Sequence, residues 1–412
     1  MSRQFISAPA QPLRGTVSVP GDKSISHRAL MLGALAEGTT QISGFLAGED
    51  CLATLAAIRA MGIQADVNGQ GEVQITGRGL HGLTAPAAPL DMGNSGTAMR
   101  LFAGLLSAQA FDSVLSGDES LSRRPMERVA EPLRRMGAQI ETTDGHAPLR
   151  ITGGQRLTGT DHRLPVASAQ LKSALLLAGL YAHGCTSVTE PAVTRDHTER
   201  MLVQFGVDVQ RDGATVRICG DARLQATQID VPGDLSSAAF FLLAGCIVPG
   251  SELTIDNVGL NPTRTGVLQI LELMGADLQI DKRSSGAEPV GRITVRSRPL
   301  HGIDIPPELV PLAIDEFPLL FVAAAFAKGT TRISGAAELR HKESDRIGVM
   351  VAGLQQLGVQ VKERPDGAEI IGGPVGGGSV DSHGDHRVAM AFAIAGAAAS
   401  APVQIADTDN VA

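Results

Sequence analysis

Six short stretches of this sequence each stand at the start of an apolar run, and five of them hold residues that grip anions or move protons. The six are "DKSISHR" from Asp22, "GNSGTAMR" from Gly93, "SAQLKS" from Ser168, "GDLSS" from Gly233, "IDEFP" from Ile314 and "SHGDHR" from Ser382. In the first, Ile25, Ala29 and Leu32 recur at i, i+4 and i+7, so a helix beginning near Ser24 buries that stripe. Lys23, His27 and Arg28 then sit at the positive end of the helix dipole, where each cation costs ~0.3–1 kcal/mol unless an anion joins it. Free backbone N–H groups, the dipole and small residues together make an anion site. In "GNSGT", Gly93 and Gly96 let backbone approach an oxyanion, Asn94 and Thr97 add donors, and Arg100 follows one turn on. "SAQLKS" offers Ser168, the backbone at Ala169, Gln170 and Lys172, whereas "GDLSS" has no cation. Any one of these is also what an ordinary helix cap looks like.

Three loops add charge: "SRRPMER" with Arg123, Arg124 and Arg128, "TRDHTER" with Arg195, Asp196 and His197, and "HKESDR" with Lys342, Glu343, Asp345 and Arg346. Together Lys23, Arg28, Arg124, Arg195, Lys342, Arg346 and Arg387 flank helix starts in a chain of net charge −8. That predicts a segregated basic cleft for a ligand with several phosphates or carboxylates. His383, Asp385 and His386 could be drawn as a metal cluster, but they lack a recognised spacing and Arg387 repels cations, so no metal is expected. "GGPVGGGS" matches neither common phosphate-loop pattern, and no G-x-S-x-G arrangement supports a serine hydrolase.

The elements that position these residues repeat. "VPGDKSISHRALMLGAL" at Val19 is echoed by "VPGDLSSAAFFLLAGC" at Val231, and the other four stretches fit the same template. The copies are spaced by roughly 70 residues, longer than solenoid periods, so each is a substantial α/β unit. Between them, helices end at Gly62, Gly137, Gly206, Gly275 and Gly358, where a left-handed C-cap is needed, and strand–turn–strand patterns follow. The unit reads strand, buried helix, strand, amphipathic helix, strand, strand. Three copies between the two "VPGD" stretches and three outside them predict two pseudo-threefold domains, one of residues 1–20 and 234–412 and one of 21–233. Helix starts from both would then point into one cleft. The sixth copy lacks its second half, so either residues 1–18 complete it or the sequence stops short.

Bulk composition agrees with a globular α/β protein: 412 residues, 43% hydrophobic and 19% charged, with 48 glycines and 3% aromatics. The acidic balance argues against a nucleic-acid partner. Cys51, Cys185, Cys219 and Cys246 are scattered with no C-x-x-C, so neither a disulfide framework nor a zinc site is expected. With no apolar leader and no run of membrane-spanning length, the chain reads as cytoplasmic, with no membrane partner.

"GDKSISHRAL", "GNSGTAMR", "RRPM", "SAQLKSALLLAGL", "TRDHTERML", "DEFP", "HKESDRI" and "DHRVAMA" resemble, in order, the motifs of the 5-enolpyruvylshikimate-3-phosphate synthase family. The resemblance runs from about residue 10 to the end, in the branch with the "SAQLKS" form. It implies an enolpyruvyl-transferase fold, an inside-out α/β barrel, with two domains of three βαβαββ units each about a pseudo-threefold axis. It implies transfer of the enolpyruvyl group from phosphoenolpyruvate to the 5-hydroxyl of shikimate 3-phosphate, releasing phosphate, in aromatic amino-acid biosynthesis. No cofactor or metal is implied; glyphosate is the implied inhibitor, and a monomer is expected. By motif, Lys23, Ser24 and Arg28 hold shikimate 3-phosphate, with Lys23 also reaching phosphoenolpyruvate. Ser168, Ala169, Gln170 and Arg195 bind the 3-phosphate. Gly96, Arg124, Arg346 and Arg387 line the phosphoenolpyruvate site, the last two as carboxylate forks, and Asn94 is a further substrate-binding residue. Asp315 and Lys342 meet the 4- and 5-hydroxyls, and either takes the 5-hydroxyl proton, while Glu343 serves the methylene carbon. The sequence departs from the family at its end, where a further helical segment and, in some relatives, a lysine are expected. The sister family acting on UDP-N-acetylglucosamine uses a cysteine in the loop here reading "SGDESLSRRPM", which has none. A non-catalytic phosphometabolite sensor would need the arginines but not Asp315, Lys342 and Glu343.

Overall fold

Each copy of the template begins with a polar residue that stops the chain from extending and starts a helix. Asp22, Ser95, Ser168, Asp234 and Asp385 accept backbone N–H bonds from the first turn of the helices Lys23–Leu35, Gly96–Leu106, Ala169–Gly179, Leu235–Ile247 and His386–Ala398. The remaining copy, Phe317–Phe326, instead follows a 3₁₀ turn at Ile314–Glu316, with Pro318 in its first turn. Five of these helices are almost wholly buried, and His386–Ala398 buries Val388, Ala389, Ala391, Phe392, Ala395 and Gly396, so packing into the core holds them. Small residues let them meet closely: a Cβ on Gly104 would overlap the Ala174 carbonyl of the next buried helix.

The computed structural model describes residues 3–69, 71–283 and 287–411. The chain divides into two compact units: an inserted one of residues 20–232 joined by a short piece ending at Glu288, and a discontinuous one of residues 1–19, 233–284 and 289–412. Each has its own hydrophobic core. Among the described residues the inserted unit carries three four-stranded sheets. In the second, Leu90–Asp91 runs parallel to Ser113–Ser116, and the returning hairpin Gln139–Thr143 and His146–Thr152 adds antiparallel. Asp161–Arg163, Cys185–Thr189, Thr215–Cys219 and Val209–Asp212 repeat that order. The parallel pair needs a crossover, and the buried helix supplies it.

The first and fourth copies exchange their leading strands. Arg14–Ser18, ahead of the first "VPGD", pairs with Glu252–Gly259 in the discontinuous unit, and Gln228–Asp230, ahead of the second, pairs with Glu37–Ser43 in the inserted unit. The sixth copy has a three-stranded sheet, in which Phe5–Ser7 lies antiparallel to Val403–Ala406. Residues 1–18 thus contribute one strand to it. The leading strand of the fifth copy is reduced to bridges at His301 and Asp304. The five glycines expected at helix C-caps all have positive φ, between 82° at Gly62 and 105° at Gly137.

Two sequence expectations are corrected. Cys185 and Cys219 form a disulfide. They are register partners on antiparallel strands, and the bond from Gly220 N to the Gly184 carbonyl makes theirs a non-hydrogen-bonded pair, the position where backbones approach most closely. Cysteine spacing carries no trace of that register. Likewise, among the described residues, one run, Pro307–Phe326, is long and apolar enough to cross a membrane by length and composition. Its second half is a core helix, however, buried from Phe317 to Ala325.

Candidate active site

In the inserted unit, helix starts bring the expected residues together with partners from distant parts of the sequence. Lys23, the first helical residue after Asp22, forms an ion pair with Asp50. Arg28 is almost fully buried, yet among the described residues its guanidinium meets only neutral oxygens. Nε donates to Thr198 Oγ1 (2.6 Å), Nη2 to Ser173 Oγ (2.8 Å) and Nη1 to the Ser24 carbonyl (2.8 Å). Burial lowers its pKa to about 10, with Arg195 also opposing the charge, while Glu199 and Asp22 favour it from a distance. His27 is a core residue, with Nδ1 against Thr54 Oγ1 (2.7 Å). Burial, then Lys23 and Arg28, hold its pKa well below the usual range, so it is neutral.

The next two helix starts are linked to each other. Asn94 donates to Asp118 (2.7 Å) and accepts from Arg124 Nη2 (2.5 Å), which holds that guanidinium over the "GNSGT" turn. Gly96 is the first helical residue there, and a Cβ on it would stand 2.9 Å from Arg100 Nη1 and 3.2 Å from Arg124 Nη1. Gln170 accepts from Arg100 (2.6 Å) and donates to Thr97 Oγ1 (3.0 Å), so its amide is tied to that neighbouring turn. Ser168 caps its helix through Leu171 N and precedes Ala169 at the first helical position. Lys172, offered by the sequence as an anion ligand, is instead fully buried between Glu190 (2.7 Å) and Glu199 (2.9 Å). Those carboxylates bracket the loop that carries the half-buried Arg195.

In the discontinuous unit, the five expected residues form one network. Arg346 opens the helix Arg346–Gln356 and is 2% exposed. It forks onto Asp385, with Nε at 2.8 Å and Nη2 at 3.3 Å, while Nη2 also reaches Glu343 (2.7 Å) and Nη1 lies 3.6 Å from Asp315. Burial opposes its charge, but Asp385, Glu343 and Asp315 outweigh that and raise its pKa. Lys342 Nζ is 3.4 Å from the same Asp315 oxygen. Arg387 donates to the Asp315 carbonyl (3.0 Å) and lies 3.6 Å from Glu316. The arrangement is an alternation of cations and carboxylates rather than a bare basic surface. It can bind an anion through the cations and exchange protons through Asp315, Lys342 and Glu343.

The fourth helix start has no cation in its own stretch but receives one from elsewhere in the chain. Arg264, from the following loop, reaches Asp234 (3.1 Å) and Ser236 (2.6 Å). Sequence reasoning also missed Asp50, Thr198, Ser173 and Glu316, none of which shares a motif with the group it touches. The one available signal was Asp385, whose place just before a buried helix marks it as a cap.

Comparison with known proteins follows the same lines. A family profile described as EPSP synthase (3-phosphoshikimate 1-carboxyvinyltransferase) matches residues 7–412. The curated 3-phosphoshikimate 1-carboxyvinyltransferases of Alkalilimnicola ehrlichii and Methylococcus capsulatus are 61% and 60% identical, over 99% of this chain and 92% and 94% of theirs. A solved EPSP synthase from Acinetobacter baumannii is similar in fold, with a TM-score of 0.90 and 54% identity, covering 99% of this chain and 95% of that one.

Proposed function

The chain belongs to the EPSP synthase family, and we propose that the charged helix starts described above are its substrate-binding and acid–base groups. Its reaction moves the enolpyruvyl group of phosphoenolpyruvate onto the 5-hydroxyl of shikimate 3-phosphate and releases phosphate. The two substrates carry two phosphates and two carboxylates between them, which matches cations set at helix N-termini. In residues 21–233, Ser24 and Arg28 hold shikimate 3-phosphate, and Ser168, Ala169, Gln170 and Arg195 take its phosphate. Lys23 touches both substrates. Asn94, Gly96 and Arg124 are assigned to phosphoenolpyruvate in this unit, and Arg346 and Arg387 are assigned to it in residues 234–412. Because Asp385 already occupies one fork of Arg346, Arg387 is the better candidate for a two-pronged grip on the phosphoenolpyruvate carboxylate.

The chemistry is acid–base work plus electrostatics. Asp315 or Lys342 removes the 5-hydroxyl proton as that oxygen bonds to C2 of phosphoenolpyruvate, and Glu343 delivers a proton to C3. The tetrahedral intermediate then loses a C3 proton and the C2–O bond to phosphate, restoring the double bond. The observation that carries this assignment is the pairing of Asp315 with Lys342 at 3.4 Å, beside Glu343 on Arg346. A purely binding site needs the arginines alone. The same reasoning has glyphosate competing at the phosphoenolpyruvate subsite, in a monomer acting in the cytoplasm.

Phosphate release measured with both substrates, and with each omitted, tests the roles when combined with Asp315→Asn. That variant is expected to keep shikimate 3-phosphate affinity within a few-fold while kcat falls by about 10²–10⁴. A near-normal kcat removes Asp315 from the mechanism.

A further inference from the structure

Arg28 raises a question that its binding role does not answer: what fixes a buried guanidinium when, among the described residues, no carboxylate pairs with it? A buried cation is ordinarily matched by an anion or coordinated by several acceptors. Here two side-chain hydroxyls and one carbonyl do the coordinating. Arginine only donates, so the hydrogen positions in this cluster follow from the contacts. Thr198 Oγ1 accepts from Arg28 Nε and gives its own proton to Ser173 Oγ (2.7 Å). Ser173 Oγ accepts from both Thr198 and Arg28 Nη2 and gives its proton to the Ala169 carbonyl (2.7 Å). Thr198 and Ser173 are both fully buried. The chain of bonds is complete, runs in one direction, and ties three helices together: Lys23–Leu35, Ala169–Gly179 and His197–Gln204.

We propose that Thr198 and Ser173 are positioning residues for Arg28, orienting its guanidinium through neutral oxygens so that its charge remains available to shikimate 3-phosphate. The proposal rests on the assignment of Arg28 to that substrate. A carboxylate in either place would orient the guanidinium equally well and neutralise it. Hydroxyls give the orientation without the countercharge. The chain also ends on the Ala169 carbonyl, in the first turn of the helix whose start is assigned to the substrate's phosphate, so one cluster couples the two anion-binding elements.

The test compares Thr198→Val, Thr198→Ser and Arg28→Gln by calorimetric titration with shikimate 3-phosphate alone, alongside kinetics and thermal midpoints. Valine keeps the shape and deletes the hydroxyl. Thr198→Val is expected to weaken shikimate 3-phosphate by about tenfold or more, the usual effect of losing a partner to a charged group. The KM for phosphoenolpyruvate and kcat should change less, and Thr198→Ser should recover the affinity. A purely structural role would lower the thermal midpoint and the active fraction while leaving the dissociation constant of the folded protein unchanged, and would overturn the proposal. So would unchanged affinity in Thr198→Val while Arg28→Gln binds poorly, a result that leaves the assignment of Arg28 standing. Unchanged affinity in Arg28→Gln removes that assignment and the proposal with it. If Thr198→Val does not fold, Ser173→Ala deletes the Nη2 acceptor and is read by the same criteria.

Discussion

The two "VPGD" segments are the same local structure put to different uses. Asp22 and Asp234 cap with nearly equal backbone angles, φ −61° and −69°, ψ 122° and 120°, and each starts a helix of 13 residues buried in its own core. Position by position, Lys23 corresponds to Leu235, His27 to Ala239 and Arg28 to Phe240. At the second helix start the cation comes from outside, and Arg264 is closed off by Asp234 and Ser236 with Glu316 at 3.9 Å. At the first, Arg28 meets only hydroxyl and carbonyl oxygens among the described residues. The cap and the apolar helix are therefore what the fold requires. The charge on the first turn is additional, and what separates a sealed ion cluster from an anion site is whether a carboxylate accompanies the cation.

The comparison is broken most severely by making the first helix start resemble the second. Lys23→Leu is expected to lower kcat/KM by about 10²–10³, the scale for removing one electrostatic group from a transition state. Stability should scarcely move. The substitution loses a half-exposed ion pair with Asp50, worth ~0–1 kcal/mol, and relieves a cation at a helix N-terminus, worth a similar amount. Kinetics and a thermal melt on the same sample check both halves. An equally large loss of stability would mean that Lys23 serves the fold.

The caps should differ in the opposite sense. Asp22→Ala removes an N-cap and is expected to cost about 1 kcal/mol. Asp234→Ala removes a cap and also a carboxylate from the buried Arg264, so a loss of about 2–3 kcal/mol is expected. Denaturant titrations of the two variants give the difference directly. Equal costs would show that Arg264 gains nothing from Asp234 and that the second cluster is not sealed by it.

Local patterns carried the architecture into the sequence. The helix starts, the five C-cap glycines and the sixfold template all depend on neighbours within a few residues, and all are visible there. What pairs with what across the fold was not visible. Thr198 and Ser173 lie 170 and 145 residues from Arg28, and no periodicity relates them. Asp385 was visible as one of a possible metal-binding trio, but its fork on Arg346 spans 39 residues. The same limit hid the Cys185–Cys219 register and left the conformation of Gly96 open. Gly96 is helical rather than left-handed, so a methyl there acts by pressing on Arg100 and Arg124, not by straining the backbone.

The smallest expected difference is one of pH, at His27. Its counterpart is Ala239, so His27→Ala makes the first helix match the second at that position. His27 is buried, and burial together with Lys23 and Arg28 keeps its folded pKa far below the ordinary value of 6.5. Below pH 6.5 the unfolded chain therefore takes up a proton at this residue that the folded chain refuses. The unfolded state binds more protons, so the stability contributed by His27 rises with pH and is lost as pH falls from 6.5 toward the folded value. The slope for one group is at most about 1.4 kcal/mol per pH unit. His162 and His386 also have lowered pKa values, the latter about 4, but both remain in the variant and cancel in the difference. At pH 7.5 the variant should be less stable than the parent, having lost the bond to Thr54 and gained a cavity. Between pH 6.5 and 5.5 that gap should narrow by about 1 kcal/mol in denaturant titrations. A gap that stays constant with pH would show that the imidazole takes up its proton as readily in the folded protein as in the unfolded chain.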